Sequence, residues 1–120
     1  MRRLTSSLVA IVSAVVLLGT MAVAPVAGAE SAAEKGKAVA YDRKKGNCMT
    51  CHVMDDAALP GNIGPPLIVM KQRFPDKTVL RAQIFDATQK NPQSMMPPFG
   101  KYGVLTAEEI DNIVEYLYTL

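Results

Sequence analysis

Cys48-Met49-Thr50-Cys51-His52 is the stretch on which the reading of this chain turns. Two thiols three residues apart, followed at once by an imidazole, form the C-x-x-C-H attachment sequence for a c-type haem. Thiols at that spacing reach the two vinyl groups on one porphyrin edge as thioethers. The next residue then brings its imidazole under the iron as proximal ligand. A neutral imidazole binds iron through one nitrogen, and the other must donate a hydrogen bond to hold the ring. Three other chemistries compete for the motif. A redox dithiol opens a helix after a strand, whereas this one follows a helix and enters a loop. Zinc wants four ligands, and the chain has two cysteines and one histidine. Export permits a disulfide, but a disulfide does not account for the histidine beside the second cysteine.

Haem iron also needs a second axial ligand or an open site. No other histidine exists, so the candidate is a thioether in Met95-Met96-Pro97-Pro98. Thioether opposite imidazole is an electron-transfer arrangement and raises the potential. Met96 is preferred to Met95 because it directly precedes Pro97, which stiffens the loop. Met49, Met54 and Met70 read as gap fillers. Between the two ligand regions lies Ile63-Gly64-Pro65-Pro66-Leu67. It is either plain loop punctuation or a stiff backbone offering a carbonyl to the proximal imidazole. Spacing alone does not choose.

The first 29 residues differ from the rest. Met1-Arg2-Arg3 precedes an uncharged run from Leu8 to Ala24, and Ala27-Gly28-Ala29 fits a signal-peptidase site. Residues 1–29 are therefore expected to be a cleaved secretory signal, with no stable membrane anchor and a periplasmic destination; the alternative is an uncleaved anchor, since a run of 17 residues from Leu8 to Ala24 is at the short edge of a spanning helix. Residues 30–120 form the working domain. The whole chain has 13 basic and 11 acidic residues. The signal takes Arg2 and Arg3 and no acid, so the domain is neutral, with 11 of each. That excludes a nucleic-acid binder, which needs a basic stripe with interleaved aromatics. It also gives little steering charge, which suits a bound subunit more than a shuttle.

The patterns are helical throughout. Ser31 and Glu34 form a capping box for a helix expected over 32–45, ended by Gly46. Its apolar stripe of Ala33, Gly36 and Ala40, with Tyr41 beside it, is narrow enough for close approach. A short helix is expected within 67–74. Another, over 77–89 and capped by Asp76, carries Val79, Leu80, Gln83, Ile84 and Ala87 on its inner side. Thr106 and Glu109 make a second capping box, with Leu105 and Ile110 as hydrophobic staple. Ile110, Ile113, Val114, Leu117 and Tyr118 then form one apolar face. The fold class is all-α, with two long loops that must pack on something.

These features together resemble a class I cytochrome c. The resemblance implies crossing N- and C-terminal helices, with Gly36 and Tyr41 meeting Tyr116 or Tyr118. It also implies that Pro65 offers its carbonyl to the proximal imidazole. A closer resemblance, over 34–120, is to the SoxX family, the small monohaem subunits of SoxAX complexes in thiosulfate oxidation. Arg43-Lys44-Lys45-Gly46-Asn47-Cys48, Gly61-Asn62-Ile63-Gly64-Pro65-Pro66-Leu67 and Asn91-Pro92-Gln93-Ser94-Met95-Met96-Pro97 carry it. The segment from Phe99 to Leu105 is shorter than that family's. The resemblance implies one haem c per chain, thioether-linked through Cys48 and Cys51, with His52 and Met96 on iron.

It further implies a SoxA-type haem subunit as heterodimer partner, and a SoxYZ-type carrier and a downstream cytochrome as transient partners. The partner subunit would carry the chemistry of an L-cysteine S-thiosulfotransferase. This chain would have no catalytic residues of its own. Both thiols are committed to haem, and with Met96 on iron no coordination position is open to substrate. The alternative is a freestanding, diffusible class I cytochrome c. Lys71, Arg73 and Lys101 read as solvated surface charge in preference to partners of the haem propionates.

Overall fold

The two capping boxes set both ends of the fold. The computed structural model describes residues 28–120. All but the last two residues of the expected signal lie outside that range. Ser31 Oγ accepts from the Glu34 amide, and the Glu34 carboxylate accepts from the Ser31 amide at 2.7 Å, starting helix α1, Ala32–Tyr41. Thr106 and Glu109 do the same for α4, Ala107–Leu117. Between them lie the short α2, Met70–Arg73, and α3, Lys77–Phe85, capped by Asp76 on the Thr78 amide. No strand occurs among the described residues.

α1 ends four residues before the expected stop. Asp42 accepts the Lys44 amide on its side chain at 2.8 Å and the Lys45 and Asn47 amides on its carbonyl at 3.0 Å. This tight turn competes with another helical turn, as Asp side chains do. α3 breaks early for a similar reason. Asp86 leaves the helix and caps a separate 3₁₀ turn, Ala87–Gln89, through the Thr88 amide. Leu80, Ile84 and Ala87 are buried as expected, but Val79 is exposed.

α1 and α4 make the most extensive helix–helix contact among the described residues. A Cβ on Gly36 would lie 1.9 Å from the Asn112 carbonyl oxygen, so the helices touch backbone to backbone. Beside that point the Tyr41 and Tyr116 rings meet edge to face, centroids 6.4 Å apart. Tyr116 is the aromatic at the crossing; the Tyr118 hydroxyl instead donates to the Phe74 carbonyl. Ile110, Ile113, Val114 and Leu117 bury the face of α4, with Leu105 beneath them as the staple. Met54 and Met70 are fully buried and complete the core. The crossed helices and α3 thus make one apolar floor, over which the 42–69 and 86–106 loops are laid.

Candidate functional site

The turn that carries the thiols is built locally. Asn47 takes a left-handed conformation, φ 45°, which Asn tolerates better than most residues. A 3₁₀ turn over Cys48–Thr50 follows. The Cys48 carbonyl accepts the Cys51 and His52 amides at 3.2 and 3.0 Å, so both thiols and the imidazole are set by one turn. All three side chains are half-buried. Burial, reinforced by the neighbouring Cys51, pushes the Cys48 thiol up to about 11. Reactive redox dithiols have the opposite shift, toward thiolate.

A second segment straps this turn. Gly61, Gly64 and Leu67 donate their amides to the Met49, Cys51 and Val53 carbonyls, each at 2.8 Å. Within that strap His52 Nδ1 lies 2.7 Å from the Pro65 carbonyl oxygen. A carbonyl can only accept, so Nδ1 carries the proton and Nε2 keeps its lone pair. Two glycines allow the approach. A Cβ on Gly61 would lie 1.9 Å from the Thr50 carbonyl oxygen, and one on Gly64 would lie 2.4 Å from His52 Cε1. Neither role follows from the local sequence pattern. Their place between Cys51 and a double proline was the available signal.

The methionine loop is held from α3. Asp86 is buried and accepts from the side chains of Thr88, Gln89 and Lys101. The Thr88 hydroxyl, then Gln89 and Lys101, hold its carboxyl far below the ordinary carboxylate range. Gly100 and Lys101 donate their amides to the Phe85 carbonyl at 3.1 and 3.2 Å. Within the loop the Met96 amide donates to Ser94 Oγ at 3.2 Å. Met96 is half-buried and packs on the core, whereas Met95 is 78% exposed. Lys101 is therefore spent on Asp86, and Arg73 donates to the Pro66 carbonyl. Lys71 is exposed.

These three segments enclose one cavity of about 800 Å³. Cys48, Cys51, His52 and Met96 all line it, with Leu67, Leu80, Ile84, Phe99, Ile113 and Leu117 as apolar wall. Its size falls in the range of cofactor sites, roughly 300–1,000 Å³. Two thiols, an imidazole with a free Nε2 and a thioether around an apolar cleft suit a covalently held haem. The lining also includes Arg43, Lys44, Lys45 and Arg73 and no acidic side chain. The neutral domain is thus locally positive at this mouth.

Comparison with known proteins agrees with this chemistry. The family model described as cytochrome C oxidase, cbb3-type, subunit III matches residues 31–117. A protein of Aquifex aeolicus (strain VF5) described as an uncharacterized lipoprotein is 41% identical over 76 residues, 62% of this chain. The chain spans only 37% of that relative's length. Among solved structures, the crystal structure of SoxXA from P. pantotrophus superposes with a TM-score of 0.66 at 27% identity. The match covers 80% of this chain and 86% of that one.

Proposed function

We infer the function from one premise: the chain belongs to the cytochrome c oxidase, cbb3-type, subunit III family, matched over residues 31–117. It is a SoxX-type monohaem cytochrome with the class I cytochrome c fold, an electron-transfer haem protein. We propose that Cys48 and Cys51 would hold a haem c through thioether links, and that His52 Nε2 and Met96 Sδ would supply its iron ligands. The observation that carries this is the His52 Nδ1 to Pro65 carbonyl contact of 2.7 Å. It fixes the tautomer that leaves Nε2 free to ligate.

When bound, the haem supplies a one-electron iron couple. The chain's residues do the rest. Cys48 and Cys51, set by a single turn, would anchor the porphyrin edge. The 61–67 strap holds the imidazole in one orientation. Ser94 and Pro97 flank Met96 and limit the loop's freedom. The apolar wall of Leu67, Leu80, Ile84, Phe99, Ile113 and Leu117 would limit water around a bound haem, which would favour the less charged, reduced state.

We further propose that this cytochrome is the electron-transfer subunit of a SoxAX-type complex in periplasmic thiosulfate oxidation. A SoxA-type subunit would join thiosulfate to a cysteine of a SoxYZ-type carrier, and this chain would pass the electrons to a downstream cytochrome. The structural likeness to SoxXA supports it. Residues 1–29 would be the export signal that puts the protein in the compartment where haem is attached. Tagged protein from thiosulfate-grown cells tests the assembly. Co-purification with a larger haem subunit is the expected result; a monomer alone refutes it. That monomer would be the freestanding shuttle, the second reading. The positive charge of Arg43, Lys44 and Arg73 at the cavity mouth, left after Lys45 pairs with Glu109, favours the shuttle, since it can steer encounter with an acidic redox partner.

A further inference from the structure

Pro65 and Pro66 have no backbone N–H between them. This dipeptide can be hydrogen-bonded only through its two carbonyls. Pro65 gives its carbonyl to the His52 ring. Pro66 gives its carbonyl to Arg73 Nη1, at 2.5 Å. Lys37, Lys45, Lys77, Arg81 and Lys101 each reach a carboxylate. Arg73, like Lys35, Arg43, Lys44, Lys71 and Lys90, makes no ion pair among the described residues, but it alone of these donates to the strap: its polar contacts are the Pro66 carbonyl and, at 3.7 Å, Met70 Sδ.

Arg73 is exposed, but the helix that carries it is held in place. Arg73 ends α2, and both ends of that helix are tied to the last residues of the chain. The Met70 amide donates to the Leu120 carbonyl at 3.1 Å, and the Tyr118 hydroxyl donates to the Phe74 carbonyl. Met70 is buried to 1% exposure. The guanidinium also lies 6.0 Å from the Phe74 ring centroid. The path from the C-terminus to the imidazole therefore runs through α2, Arg73, Pro66 and Pro65.

We propose that Arg73 is a positioning residue for His52, holding the double-proline strap so that the Pro65 carbonyl stays on the Nδ1–H. The proposal rests on the reading of His52 as the proximal ligand. Arg73 has two separable effects. As a donor it restrains the strap. As a permanent cation it polarises the Pro66 amide and favours the reduced, less positive site.

The test uses the full haem-loaded chain and two readouts: exchange of the His52 Nδ1 proton by NMR in the ferrous state, and the midpoint potential. Arg73→Leu is expected to speed exchange about tenfold, the equivalent of one ordinary hydrogen bond, and to lower the potential. Arg73→Gln keeps a donor without charge, so it should restore protection and leave the potential low. Arg73→Lys should restore the potential. Lys71→Leu, on the same helix, should change neither. If Arg73→Leu fails to mature, the Gln and Lys variants decide, and loss of protection in both overturns the proposal. Unchanged exchange in Arg73→Leu also overturns it, even if the potential moves, because Arg73 would then act by charge alone. A wild-type chain without covalent haem overturns the underlying reading instead, and is seen before any substitution.

Discussion

Gly64→Ala adds a single methyl group at the point where the strap meets the imidazole. Gly64 is not among the positive-φ residues, so alanine can adopt its backbone conformation. The whole cost must come from contact. The new Cβ would lie 2.4 Å from His52 Cε1 and 2.6 Å from Nδ1. Ordinary contact begins near 3.4 Å, so the ring or the strap must move by about 1 Å. A shift of that size along the 2.7 Å bond to Pro65 takes it past hydrogen-bond range. Losing the bond costs about 1 kcal/mol and overpacking about 1–3 kcal/mol. Urea unfolding of the haem-loaded protein should therefore show a loss of about 2–4 kcal/mol, with a lowered yield of matured protein. Gly103→Ala is the control. Its φ is +67° with nothing near the added Cβ, so it should cost only about 1 kcal/mol of backbone strain and leave the haem spectrum unchanged. Equal stability of Gly64→Ala and wild type would refute the argument that the strap is packed against the ring.

Gly36→Val should separate the crossed helices, because its Cβ would meet the Asn112 backbone at 1.9 Å; a loss of about 3 kcal/mol or more in urea is expected. Met96→Ala should abolish the iron–sulfur charge-transfer band and lower the potential, while Met95→Ala keeps both, as its 78% exposure suggests; the reverse result reassigns the ligand. Asp86 has a folded pKa depressed below its ordinary 3.8, so its contribution is full above that value and is lost as pH falls further. Asp86→Asn should flatten the acid limb of a stability–pH curve below about pH 4, and an unchanged slope would contradict this.

The helices were legible because their signals are local. Both capping boxes, the staple and the apolar face of α4 are written in adjacent residues, and the structure has each of them. Helix ends were less so. Asp42 and Asp86 end their helices by side-chain turns that compete with helical continuation, a balance set by where the chain must go next. At the crossing, the small stripe announced close approach, but choosing Tyr116 over Tyr118 needed the helix rotation. The site shows the same division. Cys48, Cys51, His52 and Met96 stand out by type and spacing. Gly61, Gly64 and Arg73 make their contacts between the strap and segments 7 to 13 residues away, which no local pattern records. Neutral composition also concealed the placement of charge, since Arg43, Lys44, Lys45 and Arg73 all line one cavity.

The central claim is that Cys48 and Cys51 hold one haem over His52. Intact mass and pyridine haemochrome spectra of the periplasmically matured protein test it in one preparation. The account predicts one haem per chain, retained under denaturation, with the spectrum of two thioether links. A protein recovered at its apo mass, or one that releases its haem on denaturation, would contradict it.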